Sequence, residues 1–506
     1  MKLTIILHYI SILFNNFASV LLTPILIGGL GEEQYGIYTL VFSTILYFGM
    51  AEFGIGNVIV NYVAKYLKTD EREQRENFLY YSLWIFIGIA AVAAVLLTVI
   101  NLCAHLIFSG NQNWTPELIG TFRAMFTVMI INTVLVFFQT FFFCIIAGYE
   151  RFVFPRSFIL VRLVLRMTLI IVFMAQKHPA IYIYYMELVF TAITAAAFAF
   201  YVFVVLKQRI RRHKNINAGV RTILKHTVWS YMFTVLENTY WNISHLIVGA
   251  CVSIKAAAIF AIVNTFCIVF TQLTGTIGGY FIPGIMRMIV DRVSDKKITE
   301  YVISIGRILL MPMALVYAGF AFFGKEFLTT WMQSTDFTAG DYNAMFFITL
   351  FIFSAQLFPQ VMIIGDTVVQ TKDKYAARAL IALCATVSCA VISYLFINNL
   401  GLEFSFAGLV ITILVFKFFI TAAYFQRNGM NMILFAKQVY TRMIIVLAAV
   451  AVPGYLLYNW QTGSIVMFGV KIMIFVAVYA VCLWAIYLDK FEKATVKGKL
   501  KGLISS

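Results

Sequence analysis

Residues 78–108 read FLYYSLWIFIGIAAVAAVLLTVINLCAHLIF, thirty-one positions without an Asp, Glu, Lys or Arg. A bilayer core about 30 Å thick is crossed by ~20 apolar residues in helical form, so this stretch is long enough to span with a turn or two to spare. It is apolar all round, with no charged face to present to water, which marks a helix solvated by hydrocarbon or by other helices. Working outward in both directions, the same pattern recurs between short charged interruptions. The chain cuts into spans near 3–28, 37–64, 78–108, 119–147, 157–175, 182–206, 227–250, 256–286, 301–324, 342–370, 375–398, 405–426, 441–459 and 464–488. An all-α, polytopic membrane protein of about 14 helices is therefore expected.

Composition supports that class. Of 506 residues, 62% are hydrophobic and 12% charged, with mean hydropathy +0.90. A soluble chain carries about 25% charged residues. The apolar stretch after Lys2 exceeds a signal-peptide core and precedes no small-residue cleavage site, so it is expected to remain as the first span. The seven cysteines lie in or beside apolar runs without metal-ligand spacing. They read as packing residues, and neither a zinc site nor a disulfide framework is expected.

Lys and Arg set the orientation. With Lys2 placed inside and the spans alternating, inside segments hold 29 Lys/Arg, counting Arg378 and Arg442 at the very starts of their spans with the loops; outside loops hold three (Lys177, Lys255, Lys325) and spans six. Both termini are expected in the cytoplasm. The net charge of +16 then reflects topology. The basic run 207–225 fits positive-inside bias and contact with anionic headgroups of membrane lipids. No folded module surrounds it, so nucleic acid is not an expected partner.

That run divides the chain into an N-lobe (1–206, spans one to six), a linker (207–226) and a C-lobe (227–426, spans seven to twelve). Two further spans (427–488) and a basic tail (489–506) follow. A shift of 222 positions aligns Asn16 with Asn238, Ile25 with Ile247, Phe48 with Phe270 and Gly56 with Gly278. It also sets Asn15 against Glu237. Even span numbers per half give a parallel repeat.

Leu30-Gly31-Glu32-Glu33-Gln34-Tyr35-Gly36-Ile37-Tyr38, then Glu52-Phe53-Gly54-Ile55-Gly56, resembles the opening of Wzx-type polysaccharide flippases. Gly148-Tyr149-Glu150-Arg151-Phe152 is a second match. That family shares a superfamily with multidrug and toxin extrusion antiporters and lipid II flippases. The resemblance implies two six-helix lobes around a central cavity, working by alternating access in a bacterial cytoplasmic membrane. It also implies a substrate, a lipid-linked oligosaccharide on polyprenyl diphosphate, moved from the cytoplasmic to the outer leaflet. Other polysaccharide-assembly membrane proteins are the implied partners.

Charges inside spans cost ~2.5–3.5 kcal/mol on insertion scales, so each needs a reason. Glu52 and Glu237 fall near the midplane of their spans. Asn238 and His245 lie beside Glu237, and Asn15 and Asn16 hold the corresponding place in span one. These groups are expected to line a polar cavity, Glu237 taking a coupling H+ or Na+; no other cofactor is expected. Arg162 and Arg166 are four apart on one helical face, which suits bidentate binding of a diphosphate. Lys417, mid-span, and Arg123, nearer the outer surface, complete the cationic candidates. Arg123 and Lys471 are both close enough to the interface to snorkel. A multidrug antiporter would favour an acidic cavity, whereas the spans hold six Lys/Arg against four acids (Glu52, Glu187, Glu237, Asp366); a lipid II flippase is the other alternative, and this count does not separate it. A glycosyltransferase or polymerase needs a sizeable outer loop, and the longest here is about 325–341, so an enzyme is not expected.

Overall fold

The computed structural model describes residues 18, 20–49, 53–108, 114–213, 220–333, 335–372, 374, 376–400, 406–460 and 465–488. Among these there are helices, turns and no strand. Helices α1 (Val20–Leu30), α2 (Glu32–Gly49), α3 (Phe53–Lys68), α4 (Arg72–Phe108), α5 (Pro116–Gly148), α6 (Val153–Ala175) and α7 (Ile181–Phe200) come first. Then follow α8 (Val220–Cys251), α9 (Ile254–Gly279), α10 (Ile282–Val290), α11 (Asp295–Trp331), α12 (Ala339–Gln360) and α13 (Ile363–Thr371). The chain continues through α14 (Ala376–Leu400), α15 (Ala407–Thr412), α16 (Thr421–Arg427), α17 (Met432–Tyr458) and α18 (Ile465–Cys482). Stretches of π-helix extend α7 (Tyr201–Val205) and α18 (Leu483–Tyr487) and join α15 to α16 (Ile413–Ile420).

Eleven helical segments among the described residues are long and apolar enough to cross a membrane, and each falls on an expected span. Of the other three expected spans, 37–64 falls on α2 with α3 and 227–250 on α8, while 3–28 meets α1 only from residue 20, most of its earlier part lying outside the described residues. The chain is a multi-pass, all-α membrane protein. Several helices outrun the expected cuts: α4 and α11 have 37 residues each, about 55 Å at 1.5 Å per residue. Their first turns are charged, so the helix continues past the apolar core instead of stopping at it. α8 likewise begins at Val220, inside the expected linker.

Packing divides the chain into two compact units. The first holds α1–α8, the start of α9 as far as Thr265, and α14. Its centre is an aliphatic and aromatic cluster of Ile59, Val63, Phe78, Leu79, Phe86, Phe137, Phe141 and Phe198, all buried, drawn from α3, α4, α5 and α7. α8 lies along α14.

The second unit holds α9 from Phe266, α10–α13 and the chain from Val410 onward. Here α11 packs on α12 and α17, and α17 on α18. Two of its long segments are interrupted. Between α9 and α10 the helix breaks at Tyr280–Phe281, just before Pro283. Between α12 and α13 it breaks at Val361–Met362, just after Pro359. Proline has no backbone N–H to give and weakens the helix where it stands. The Tyr440 hydroxyl donates to the Phe358 carbonyl at 2.6 Å, and Tyr479 donates to the Met311 carbonyl beside Pro312 at 2.7 Å. The short arms α10 and α13 pack on each other.

Lys471 corrects the expectation of snorkelling. It is fully buried: its Nζ donates to Glu326 Oε2 at 2.6 Å and to the Trp460 carbonyl at 2.9 Å. Partners at hydrogen-bond distance within the second unit hold the ammonium better than a stretched stem would, and they fasten α18 to α11. Arg307 makes a second clasp between the same segments, donating from Nη2 to the Tyr487 carbonyl at 2.7 Å.

Candidate functional site

Arg162 and Arg166, on α6, meet one carboxylate. Arg162 Nη2 is 2.9 Å from Glu187 Oε2, and Arg166 Nε contacts Glu187 Oε1. Glu187 comes from α7, so the pair is closed by a residue far from both in sequence. Each arginine has further neutral partners. Arg162 donates to Gln139 Oε1 on α5 at 3.3 Å and to Thr191 Oγ1 on α7 at 3.1 Å. The Tyr38 phenol on α2 lies beside Arg166. Tyr38 is held in turn by Tyr184, whose hydroxyl donates to its carbonyl at 2.6 Å. Side-chain exposures of 21% for Arg162, 26% for Arg166 and 17% for Glu187 leave the cluster mostly enclosed but not sealed. Two guanidiniums and one carboxylate carry a net single positive charge.

The geometry bears on anion recognition. Two guanidiniums on adjacent turns of one helix converge on the two oxygens of a single planar oxyanion. The sequence places both arginines on one face; the structure adds Glu187, Tyr38, Gln139 and Thr191. Glu187 and Thr191 are four apart on α7, a spacing that could have paired them with the arginines' face. Nothing local in the sequence says that α7 is the neighbour of α6 at that height.

Glu237, on α8, meets a residue that was counted as a loop cation. Arg378, in the first turn of α14, places Nη2 4.0 Å from Glu237 Oε1, with side chains 6% and 23% exposed. Its guanidinium lies 4.8 Å from the centre of the Phe233 ring. Thr386 fixes the helices together by donating to the Leu236 carbonyl at 3.2 Å. His245, on α8, is buried with both ring nitrogens engaged: Nδ1 is 2.8 Å from Ser43 Oγ and Nε2 3.1 Å from the Ala257 carbonyl. A carbonyl only accepts, so Nε2 carries the proton and Nδ1 accepts from Ser43. The imidazole is a tie between α2, α8 and α9.

The remaining candidates are not drawn into these clusters. Lys417 is buried in the π-helical stretch Ile413–Ile420 of the second unit. Arg123 is exposed on α5, sixteen residues before Gln139 and thus about 24 Å along the helix. Glu52, Asn15, Asn16 and the side chain of Asn238 lie outside the described residues.

Both sequence motifs place a glycine at a close helix contact. A Cβ on Gly36 would collide with the Ile254 carbonyl oxygen, so glycine lets α2 lie against the start of α9. Lys255 pairs with Glu32 at 3.0 Å across the same contact. A Cβ on Gly148 would lie 2.7 Å from Val63 Cβ, fixing the end of α5 against α3. After it, Glu150 takes a left-handed φ of 57° and turns the chain. The Tyr149 hydroxyl donates to Gln208 Oε1 at 2.6 Å, and Arg75 Nε donates to the same oxygen at 2.7 Å. Burial holds the Tyr149 phenol above the usual tyrosine range, although Arg75 and Arg72 draw it down, so it stays a donor at neutral pH. Next along the strap, the His213 backbone N–H donates to Asn77 Oδ1 at 3.0 Å, and its ring Nε2 lies 3.2 Å from Glu76 Oε2. The first part of the basic linker is therefore strapped to the start of α4, with Lys207, Arg209, Arg211 and Arg212 exposed.

Comparison with solved structures places this fold. A lipid II flippase MurJ in an inward closed conformation is similar over 95% of this chain and 98% of its own, at TM-score 0.69 and 14% identity. An inward-facing multidrug resistance MATE family transporter of the MOP superfamily is similar over 83% and 94%, at 0.63 and 14%. A MOP superfamily transporter from Pyrococcus furiosus is similar over 84% and 94%, at 0.53 and 12%. At these identities the likeness is one of fold. No curated protein matches the chain. A family model described as polysaccharide biosynthesis protein matches residues 4–289, more than half of the chain and all of the motif stretches quoted above. With that match, the chain belongs to the polysaccharide biosynthesis protein family, in a fold shared with transporters of the MOP superfamily.

Proposed function

We propose that this protein is a flippase for oligosaccharides carried on polyprenyl diphosphate, moving them from the cytoplasmic to the outer leaflet of a bacterial cytoplasmic membrane. The observation that carries the reading is the convergence of Arg162 and Arg166 on one oxyanion inside the first unit. A diphosphate offers more oxygens than a carboxylate and twice the charge, and forked guanidiniums bind it bidentately. The family and the flippase fold support the same substrate class. In this account the head group binds at the arginine pair while the polyprenyl tail stays in lipid. Both termini face the cytoplasm, and other membrane proteins of polysaccharide assembly supply and consume the lipid.

Moving ~two negative charges outward across ~100 mV, inside negative, releases ~4–5 kcal/mol at ~2.3 kcal/mol per charge. The membrane potential is thus a sufficient drive. Any coupling H+ or Na+ at Glu237 has to compete with Arg378, which already supplies a positive charge there.

A multidrug antiporter has the same fold, and proteoliposomes separate the two readings. Reconstituted protein is expected to bring a fluorescent polyprenyl-diphosphate disaccharide within reach of an outer-leaflet quencher and to leave an organic-cation dye where it was loaded. Cation efflux without lipid movement would replace the flippase reading with the antiporter one.

A further inference from the structure

The Arg162–Arg166 pair already holds an anion, the carboxylate of Glu187. We propose that Glu187 is a built-in stand-in for the lipid's phosphate: it occupies the two guanidiniums when the site is empty, and the diphosphate displaces it on binding. The inference rests on reading the pair as the head-group site and names what regulates that site.

Three observations support exchange over a fixed structural bridge. First, the charges do not balance. One carboxylate facing two guanidiniums leaves a net positive charge in a mostly enclosed place, and a dianion would compensate it better. Second, each arginine keeps a partner when the carboxylate leaves. Gln139 and Thr191 hold Arg162 by hydrogen bonds, and the Tyr38 phenol lies beside Arg166. The fork therefore stays formed, and the incoming anion meets donors already in position, which removes the ordering cost from its binding. Third, the two sides of the bridge sit on different helices, the arginines on α6 and Glu187 on α7, so a rotation of one side chain opens it. The neutral neighbours lie on α2, α5 and α7, so they do not all move with the carboxylate.

An internal competitor also sets selectivity. An anion with several acceptor oxygens can replace a carboxylate on two forks, whereas a neutral glycolipid or an organic cation cannot. It weakens binding as well, so that the head group can leave on the far side.

The test is binding of a fluorescent polyprenyl diphosphate bearing one sugar to the full chain in detergent. Glu187→Gln keeps the shape and removes the competing charge. Its affinity for the probe is expected to rise roughly tenfold, the worth of one charge-assisted hydrogen bond. Unchanged or weaker binding in a folded Glu187→Gln protein overturns the proposal. A measurement on the unaltered protein covers the case in which that variant does not fold. Dicyclohexylcarbodiimide modifies carboxyls in apolar surroundings, and peptide mass spectrometry locates the product. Saturating probe is expected to raise modification of Glu187 several-fold, because displacement frees the carboxylate. Constant or reduced modification overturns displacement. Arg166→Ala distinguishes the two levels of the argument: if it binds the probe as well as the unaltered protein does, the head-group reading itself fails, and the inference with it.

Discussion

Gly36 lies so close to Ile254 that a Cβ would meet the Ile254 carbonyl oxygen. The residue belongs to the Tyr-Gly-Ile-Tyr run by which the family resemblance was read. Its neighbours are committed as well: Tyr35 and Tyr38 are buried, and the Tyr38 carbonyl accepts from Tyr184. One short motif thus sets a helix contact and supports the candidate site.

Gly36→Ala is expected to destabilise the protein by about 1–3 kcal/mol, the usual cost of overpacking a close contact. Gly120→Ala is the control, since a Cβ on Gly120 would meet nothing within 4 Å. Thermal unfolding in detergent should show a fall for the first and none for the second. Equal behaviour would mean that α2 and α9 do not approach as described.

Lys471 and Glu326 give a double-mutant test. Removing one member of a buried pair strands the other charge and costs about 3–5 kcal/mol. Lys471→Met should therefore lower the melting temperature strongly. Lys471→Met with Glu326→Gln should recover most of the loss, because no unpaired charge remains. A double variant no better than the single one would contradict the clasp between α18 and α11.

Much of the fold was legible in the sequence. Spans such as 78–108 carry no charge and stand between charged turns, so length and hydropathy mark them unaided. α8 was harder, because Arg221, Lys225, Glu237 and His245 lower its hydropathy, and its true start at Val220 lies in a basic stretch that reads as linker. Of the site, helical spacing alone put Arg162 and Arg166 on one face. Glu187 could be counted among the in-span acids but not paired, since pairing depends on which helices are neighbours. Arg378 was missed for a different reason. It lies in the first turn of α14, where a basic residue reads as positive-inside bias, and only packing shows it buried against Phe233 and Glu237.

Arg378 and Glu237 should behave as an energetic pair. Arg378→Met and Glu237→Gln are each expected to destabilise, and the double variant should fall short of their sum by roughly 1 kcal/mol, the range found for contacting charged groups. Thermal unfolding of the four proteins measures this. Strict additivity would mean the 4.0 Å separation carries no interaction.

The strap between residues 207–213 and the start of α4 is testable by proteolysis. Gln208 receives both Tyr149 and Arg75, so Gln208→Ala removes two clamps at once. Trypsin is expected to cut between Lys207 and Arg212 several times faster in that variant, because cleavage follows local opening. Unchanged cleavage would show that the His213 contacts with Asn77 and Glu76 hold the segment alone.

The central claim is that Arg162 and Arg166 carry the head group of a flipped lipid. Its most direct test is the flipping rate of a fluorescent polyprenyl-diphosphate oligosaccharide in proteoliposomes, comparing the unaltered protein with Arg166→Ala at matched reconstitution. The account predicts flipping by the unaltered protein, faster with an inside-negative potential, and a loss of roughly tenfold or more in Arg166→Ala, the worth of a charge-assisted contact. Equal rates in the two proteins would contradict it.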